Sequence, residues 1–342
     1  MVRLQLLIDL SGTLHIGDHE VAGAAKALKR LQQAAAALSS STSAASSPTT
    51  LAAEKGGFSS IKLRFCSNTT KESTQDLQAR LVRAGFDPKD VPASSILTSL
   101  EACRRMCVAQ RWRPLLLLTP SAQAAFSSPS ATASSSESIA GDCFLPAKER
   151  PPSSLSDEER AKLRSCDTVV VGLAPDLFGA AWMDEAFRIL AGEYASDSSG
   201  TSKTRLVATH RALYYRPGPS EPLSLGPGAY IAALEAASRR EAKDTVVCGK
   251  PSAAFFQTCL DEMAASPPEN GQSANTIDKD EEERNIVIGD DVEADLGGGA
   301  IEMGLERVLV RTGKYRKGDE DRAAVPVTTF DSFAHFVDDL LP

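Results

Sequence analysis

One short segment near the N-terminus constrains the fold more than any other part of the chain. Residues 4–9, Leu-Gln-Leu-Leu-Ile-Asp, form an apolar run that ends in an acid and is followed by a glycine-containing turn. This pattern is typical of a buried strand that delivers a carboxylate to a loop. Ligands bind beyond the carboxyl ends of strands in open α/β sheets, so Asp9 is a candidate functional residue. For this segment alone, the alternative is a strand-end turn in which Asp9 bonds to its own backbone.

Three later β-rich runs end in polar residues of other kinds. Each run is followed at once by residues that can carry chemistry: Ser67 and Asn68 after residues 61–66, Gly249-Lys250-Pro251 after residues 244–248, and Asp290, Asp291 and then Asp295 after residues 285–289. An acid, a hydroxyl, a lysine and paired acids, in this order and each at the end of a predicted strand, are hard to obtain by chance.

These four motifs together resemble those of the haloacid dehalogenase superfamily. Two further segments, Gly226-Pro227-Gly228 and Thr-Gly-Lys-Tyr-Arg at residues 312–316, resemble one branch of it. That branch carries a large α/β cap between the second and third motifs. The resemblance covers nearly the whole chain outside its low-complexity inserts. It is specific for the superfamily and the branch, but it does not identify a substrate.

The order of the predicted elements is that of an α/β protein. Strand and helix patterns alternate, which predicts a parallel, doubly wound sheet. With the resemblance, we expect a Rossmann-like catalytic core over residues 1–110 and 245–342 and an inserted C2-type α/β cap over residues 111–244. Helices are predicted over residues 22–37, 73–84, 99–109, 184–191 and 228–238, and cap strands over residues 115–118, 168–171 and 205–208.

Four stretches of biased composition interrupt these elements. They are polar or rich in Ser, Ala, Thr or Pro, and they lie at residues 35–57, 127–156, 196–203 and 264–283. Such segments bury too little apolar surface to offset chain entropy, so we predict surface insertions. They could hold phosphorylation sites or partner motifs. The alternative is that they are solvated loops without a function of their own.

Composition argues against several kinds of partner. The formal net charge of −8 over 342 residues argues against a nucleic-acid surface. No run of residues approaches the ~18–20 apolar positions that cross a bilayer, so no membrane partner is expected. A cleavable N-terminal signal would remove Asp9, so we expect a cytoplasmic protein.

The seven cysteines are scattered and odd in number. This usage is typical of buried free thiols in a reducing compartment. Cys103 and Cys107 share a helix face and could suggest a metal, but no second ligand pair completes a zinc site.

The resemblance implies phosphoryl transfer to Asp9, followed by hydrolysis. A carboxylate suits this role because it is ionised at neutral pH and needs no activating base. Mg²⁺ would offset the repulsion between this carboxylate and a phosphate, and it prefers oxygen ligands. By the resemblance, the ligands are Asp9, Asp290, the backbone oxygen of Ser11, and Asp295 or Asp291 directly or through water. The alternative for the Asp290-Asp291 pair is a turn or helix cap.

Further groups would hold the phosphate. Lys250 would neutralise Asp9 and the phosphate; the alternative is a surface lysine after a strand. Lys250 does not belong to a P-loop, because Pro251 follows it where that motif requires Ser or Thr. The remaining predicted phosphate-binding groups are the Ser67 hydroxyl, Asn68 beside it, and the backbone N–H groups of Leu10, Ser11 and Gly12.

Ser11 departs from the usual pattern of the superfamily. Most of its phosphatases carry a second Asp at this position, which protonates the leaving group and then activates water. A positioned general acid contributes about 10²–10⁴-fold to a rate. With Ser11 in its place, we predict a preference for groups that leave easily, as in acyl phosphates, aryl phosphates, pyrophosphate and protonated phosphoramidates. The alternative function is a catalytically weak protein that binds phosphoryl ligands or serves as a scaffold.

The cap is expected to select a small phosphorylated substrate. His210 and Arg211 are candidate lining residues in the cap, and His15 is a candidate for the edge of the pocket. An ordinary surface or capping histidine is the alternative for His210. Relatives with this cap often pair through it, so we also expect a homodimer.

Overall fold

The computed structural model forms two compact units. It describes residues 1–40, 57–70, 72–127, 142–194, 204–215, 221–222, 224–265 and 282–342. The first unit comprises Met1–Ser67, Gln75–Leu97 and Lys250–Pro342. The second unit comprises Asn68–Thr74 and Thr98–Gly249.

The described residues form fourteen strands and eleven α-helices. The strands are β1 (Val2–Asp9), β2 (His15–Ile16), β3 (His19–Glu20), β4 (Phe58–Ser67), β5 (Ile96–Thr98), β6 (Pro114–Leu117), β7 (Thr168–Val171), β8 (Arg205–Ala208), β9 (Tyr214–Tyr215), β10 (Ser224–Leu225), β11 (Val246–Val247), β12 (Glu282–Gly289), β13 (Glu306–Val310) and β14 (Thr328–Phe330). The helices are α1 (Ala24–Ser40), α2 (Thr74–Arg83), α3 (Ser99–Ala109), α4 (Pro120–Ser127), α5 (Asp157–Arg164), α6 (Ala180–Ala191), α7 (Pro227–Ala237), α8 (Ala253–Ala265), α9 (Gly299–Glu302), α10 (Asp319–Arg322) and α11 (Phe333–Leu340).

A six-stranded sheet lies at the centre of the first unit. Its strand order is β14-β13-β12-β1-β4-β5. β1 pairs in parallel with both β4 and β12, and β13 continues the parallel pairing to β14. The strand order therefore changes direction at β1. Open α/β sheets bind ligands at such a point, beyond the carboxyl ends of the strands.

Helices cover both faces of this sheet. The buried side chains Leu4, Leu6 and Ile8 alternate along β1 and belong to one core with residues of α1, α2 and α11. Helix α8 contacts β1 and β4 outside that core. Burying alternate residues of a strand against two helical layers explains why β1 is apolar almost throughout. The predicted doubly wound α/β fold is confirmed.

The second unit has its own parallel sheet, in the order β11-β8-β7-β6. Its strands are apolar on both faces. Leu115 and Val169 pack with residues of α5, α6 and α7, whereas Leu116 and Val170 pack with residues of α3 and α4. This unit therefore repeats the three-layer α/β arrangement on a smaller scale.

The division into units differs from the predicted boundaries in two places. Helix α3 was predicted within the core, but Leu100 and Cys103 pack on the sheet of the second unit with Leu116 and Val170. The strand before Lys250 was also predicted in the core, but Val246–Val247 pairs with β8. Both errors have one cause: hydrophobic periodicity shows that an element is buried but does not show which sheet buries it.

One predicted insertion is partly wrong. Residues 142–156 are described, and Phe144 exchanges backbone hydrogen bonds with the edge of β6, to Pro114 (2.8 Å) and from Leu116 (3.0 Å). Its ring centroid lies 5.9 Å from that of Trp182. Residues 35–40 extend α1, and residues 282–283 begin β12. The remainder of the predicted insertions, residues 41–56, 128–141, 196–203 and 266–281, lies outside the described residues.

The cysteines agree with the expectation from composition. All seven cysteines are buried free thiols. Within the described part of the chain, no helix combines the length and the apolar character needed to span a membrane. The predicted cytoplasmic location stays a prediction.

Candidate active site

The carboxyl ends of four neighbouring strands deliver polar groups to one edge of the six-stranded sheet. The groups are Asp9 at the end of β1, Ser67 at the end of β4, Asp290 directly after β12, and residues 312–316 after β13. The register places Asp9 opposite Cys66 of β4, and Ile8 opposite Ile288 of β12. The first, second and fourth motifs therefore meet because their strands are adjacent and parallel.

Three buried carboxylates form a cluster at this edge. Asp9, Asp290 and Asp295 each offer an oxygen, and these oxygens lie within 4.8 Å of one another. Among the described residues it is the only group of three or more His, Cys, Asp or Glu with this spacing. Asp290 Oδ1 is buried and has no hydrogen-bond partner. A buried oxygen of this kind is costly unless it has a partner, so the donor set fits a hard cation.

Lys250 joins two of these carboxylates. Its side chain is 1% exposed. The ammonium donates to Asp9 Oδ1 at 2.5 Å and to the backbone oxygen of Cys66 at 3.1 Å, and it lies 2.8 Å from Asp295 Oδ1. All three ammonium hydrogens therefore have acceptors. The structure places Lys250 against Asp9, as the sequence predicts.

Burial and mutual repulsion shape the charges of the cluster. Burial, then the negative charge of Asp295, raise the pKa of Asp9 to about 6, although Lys250 opposes this. Burial and the charge of Asp295 also raise the pKa of Asp290 well above its usual range. Burial would raise the pKa of Asp295. The positive charge of Lys250 outweighs this effect and holds the pKa of Asp295 below its usual range. The pKa of Lys250 lies above its usual range because Asp295 and Asp9 outweigh its burial.

Two glycines leave room for the carboxylate of Asp290. A Cβ on Gly12 would lie 1.8 Å from Asp290 Oδ2, and one on Gly313 would lie 2.0 Å from the same atom. Both residues have positive φ, of +99° and +60°. Asp290 Oδ2 accepts the backbone N–H of Lys314 at 2.6 Å, and the Thr312 hydroxyl donates to the backbone oxygen of Gly12 at 2.5 Å. The loop after β13 thus ties Asp290 to the loop after β1.

The structure separates the roles of the two acids left open by the sequence. Asp295 belongs to the buried cluster. Asp291 is outside that cluster, and its Oδ1 accepts the backbone N–H groups of Glu293 (3.0 Å) and Ala294 (2.9 Å). Asp291 therefore closes the turn after β12, which is the alternative that the sequence allowed for this pair.

Two groups in the loop after β1 make hydrogen bonds that differ from the predicted ones. The N–H of Gly12 was predicted to bind phosphate, but it donates to the backbone oxygen of His15 at 2.7 Å. The His15 ring was a candidate for the pocket edge, but its Nδ1 donates to the backbone oxygen of Gly17 at 2.8 Å. Burial lowers the pKa of His15, and the charged side chains that act on it are Arg80 and Asp18. Both groups are therefore used in local backbone turns, next to or within the hairpin of β2 and β3.

The other predicted residues divide between the two units. Leu10 and Ser67 are buried and Ser11 is half-buried, all in the first unit. Asn68, His210 and Arg211 belong to the second unit.

In the second unit, Arg211 is committed to an ion pair. Its guanidinium makes two hydrogen bonds to Glu235, of 2.6 and 2.8 Å. His210 is buried, and its Nδ1 accepts the N–H of Ala212 at 3.3 Å. A Cβ on Gly228, in the first turn of α7, would lie 2.3 Å from the backbone oxygen of Arg211. Glycine at this position therefore lets the backbone at Arg211 pack closely on α7.

Three residues near the carboxylates had no predicted role. The Thr13 hydroxyl donates to Asp9 Oδ2 at 3.2 Å, and Thr312 and Lys314 hold Gly12 and Asp290. Thr13 lies inside the first motif, and Thr312 and Lys314 lie inside a segment that supported the family resemblance. Nothing in local sequence indicates that residues about 300 positions apart meet, because the contact depends on the pairing of β12 with both β1 and β13.

Comparisons with known proteins agree with this fold and identify the family. A family model described as Haloacid dehalogenase-like hydrolase matches residues 6–126, and a related HAD-hydrolase-like model matches residues 247–336. The chain is 33% identical over 337 residues to haloacid dehalogenase-like hydrolase domain-containing protein 2 of Bos taurus, covering 98% of this chain and 95% of that protein. It is 27% identical to the phospholysine phosphohistidine inorganic pyrophosphate phosphatase of Xenopus laevis, covering 98% and 94% of the two chains.

A solved structure shows the same fold. The glycerol phosphate phosphatase of Mycobacterium tuberculosis in complex with magnesium matches with a TM-score of 0.63 and 20% identity, over 99% of this chain and 79% of that chain. The parallel α/β fold of this chain is therefore that of solved phosphatases of this size. The chain belongs to the haloacid dehalogenase-like hydrolases.

The close approach of Gly12 to Asp290 generates a matched pair of variants. Gly12→Ala should destabilise the protein much more than Gly17→Ala. Both positions have positive φ, which costs about 1 kcal/mol for alanine, but a Cβ on Gly17 meets nothing within 4 Å. Urea denaturation of the two variants measures the difference in unfolding free energy. Equal losses of stability would show that the loop yields to the Cβ, and that Gly12 serves only its own backbone conformation.

Proposed function

We propose that the protein is a Mg²⁺-dependent phosphatase that acts through a phosphoryl-enzyme intermediate on Asp9. The observation that carries this proposal is the buried cluster of Asp9, Asp290 and Asp295, with Lys250 bound to Asp9. The names of two similar proteins, an inorganic pyrophosphate phosphatase and a glycerol phosphate phosphatase, support phosphate chemistry.

The residues present fit Mg²⁺. Asp9, Asp290 and the backbone oxygen of Ser11 would hold it, with Asp295 directly or through water. The orphaned Oδ1 of Asp290 and the oxygen-only donor set support this choice. The similar glycerol phosphate phosphatase is described in complex with magnesium. When bound, the ion would offset negative charge on the transferring phosphoryl group.

The chain's own groups then account for the two steps. In the first step, a bond forms between an oxygen of Asp9 and phosphorus while the bond to the leaving group breaks. Lys250 holds the attacking carboxylate in place and offsets its charge, and Thr13 binds its second oxygen. We assign the Ser67 hydroxyl, which ends the neighbouring strand β4, to a phosphoryl oxygen. In the second step, water cleaves the phosphorus–oxygen bond to Asp9 and releases phosphate.

Ser11 defines the class of substrate. It is half-buried, and in the described part of the chain its hydroxyl makes no side-chain hydrogen bond that would raise its acidity. A serine hydroxyl does not supply a proton as a carboxylic acid does. We therefore propose substrates whose leaving group departs without a proton donor: acyl or aryl phosphates, pyrophosphate or phosphoramidates.

The same residue motivates a second candidate function. A protein that binds phosphoryl ligands but turns them over weakly would keep the carboxylates and Lys250 and lack only the acid. The two functions differ in phosphate release from p-nitrophenyl phosphate, pyrophosphate and acetyl phosphate: release that EDTA abolishes favours the enzyme. Ligand protection against heating without release favours the binding protein. The C2-type cap, a homodimer through it and substrate selection by His210 stay proposals.

Replacing the nucleophile tests the central assignment. Asp9→Asn should lower phosphate release by at least ~10³-fold, because an amide does not form the phosphoryl intermediate. The fold should persist, since the amide keeps the size of the side chain. Phosphate release is measured by a colorimetric assay, and circular dichroism checks the fold. Wild-type activity in a folded Asp9→Asn variant would contradict the assignment.

Stabilisation by Mg²⁺ should depend on pH. The raised pKa of Asp9, about 6, means that the folded, metal-free protein loses stability as pH rises from about 4 through 6, where Asp9 ionises. The raised pKa of Asp290 acts in the same direction. Mg²⁺ binds the ionised forms, so the gain in Tm over EDTA should be larger at pH 7 than at pH 5.

A pair of variants controls this measurement. Asp290→Asn should remove most of the Mg²⁺-dependent gain in Tm. Asp176→Asn alters an exposed acid paired with Lys148, and it should leave the gain unchanged. An equal gain at both pH values in the wild type would contradict the site.

The leaving group should control the rate. Aryl and acyl phosphates should be hydrolysed at least ~10²-fold faster than alkyl phosphates, the factor that a general acid would supply. Ser11→Asp should reduce this difference by accelerating alkyl esters most. Rates over a series of esters of graded leaving-group acidity give the slope, with Mg²⁺ affinity measured in parallel. A flat series in the wild type would mean that another residue already donates the proton.

A further inference from the structure

The loop after β13 carries a lysine whose side chain the proposed mechanism does not use. This loop is fixed at both of its contacts with the site: Thr312 bonds to Gly12, and the backbone N–H of Lys314 bonds to Asp290. Both contacts are independent of the Lys314 side chain. The ammonium is therefore carried by a rigid backbone directly beside the carboxylate cluster.

The two lysines of this site are in opposite situations. Lys250 is buried, and its three hydrogens already have acceptors. The side chain of Lys314 is 65% exposed, and its Nζ lies 3.7 Å from Asp291 Oδ2, beyond hydrogen-bond distance. Lys314 is thus a cation with donors available to a ligand, whereas Lys250 has none to spare.

The position of Lys314 ties its charge to the reacting groups. Its positive charge acts on Asp9, Asp290 and Asp295. A substrate phosphate placed against Asp9, before transfer, would bring further negative charge into the field of this ammonium. A leaving group that carries its own anion gains from Lys314 what a neutral leaving group does not.

We propose that Lys314 is a specificity-determining residue that binds a second anionic group, a carboxylate or phosphate carried by the leaving group of the substrate. This inference rests on the proposed phosphatase function and deepens it. It predicts a preference for phosphate compounds whose leaving group is itself negatively charged. The chain supplies a matched control in Lys317, which lies in the same loop, is exposed, and has no carboxylate oxygen within 4 Å in the described residues.

The test compares two substrates of the same shape that differ in the charge of the leaving group. 4-Carboxyphenyl phosphate has an anionic leaving group, and 4-carbamoylphenyl phosphate replaces the carboxylate by a neutral amide of the same shape. The kcat and KM of both are measured for the full chain with MgCl₂, in the wild type and in Lys314→Met, Lys314→Arg and Lys317→Met. Lys314→Met removes the charge and keeps both backbone contacts of the loop.

The wild type should favour the carboxylate substrate by about tenfold in kcat/KM, mainly through a lower KM. A tenfold preference corresponds to about 1.4 kcal/mol. Lys314→Met should reduce this preference to near one by weakening only the carboxylate substrate. Lys314→Arg and Lys317→Met should keep it. Three outcomes would overturn the inference and leave the proposed phosphatase function in place. The wild type could show no preference, Lys314→Met could leave the preference intact, or Lys317→Met could remove it as well.

Absence of turnover with both substrates would instead count against the proposed function. Isothermal titration calorimetry of the same two compounds then decides the role of Lys314 separately. Tighter binding of the carboxylate compound that is lost in Lys314→Met supports the inference, and equal binding of both compounds overturns it.

Discussion

The contact of Lys250 with Asp9 and Asp295 is the interaction on which the site depends. Three buried carboxylates face one buried ammonium, so two negative charges remain uncompensated within the cluster. Burial makes this excess costly, which is why the pKa values of Asp9 and Asp290 are raised. A buried excess of this size is stable only with protons or a cation. The cluster therefore predisposes the edge of the sheet to bind a divalent metal ion.

The fold supplies the geometry that this charge arrangement requires. Parallel pairing of β1 with β4 and β12 brings the ends of the three strands to one edge. Gly12 and Gly313 then allow two loops to close on the carboxylate of Asp290 without a clash. The backbone N–H of Lys314 donates to the carboxylate of Asp290. The loop after β13 therefore supports this carboxylate and also carries the exposed ammonium of Lys314.

The elements of the site were largely predictable, but their partners were not. The strands that end at Asp9 and Ser67 follow from apolar runs that stop at polar residues, and the structure confirms them to within a few residues. The assignment of β11 to the core failed because a two-residue strand carries no information about which sheet it joins. Arg211 was a plausible substrate ligand until Glu235, 24 positions away, proved to hold it through two hydrogen bonds.

The sequence by itself determined the α/β class, because strand and helix patterns alternate along the chain. It also determined the family and the nucleophile and lysine candidates, because these follow from contiguous motifs. Only the tertiary structure decided that Asp295 joins the cluster while Asp291 closes a turn, since the two acids are four residues apart and equally acidic in sequence. It also decided that Lys250 has no free hydrogen and that Lys314 does. Such distinctions depend on which atoms are buried and which acceptors lie within about 3 Å, and that is set by the pairing of distant strands.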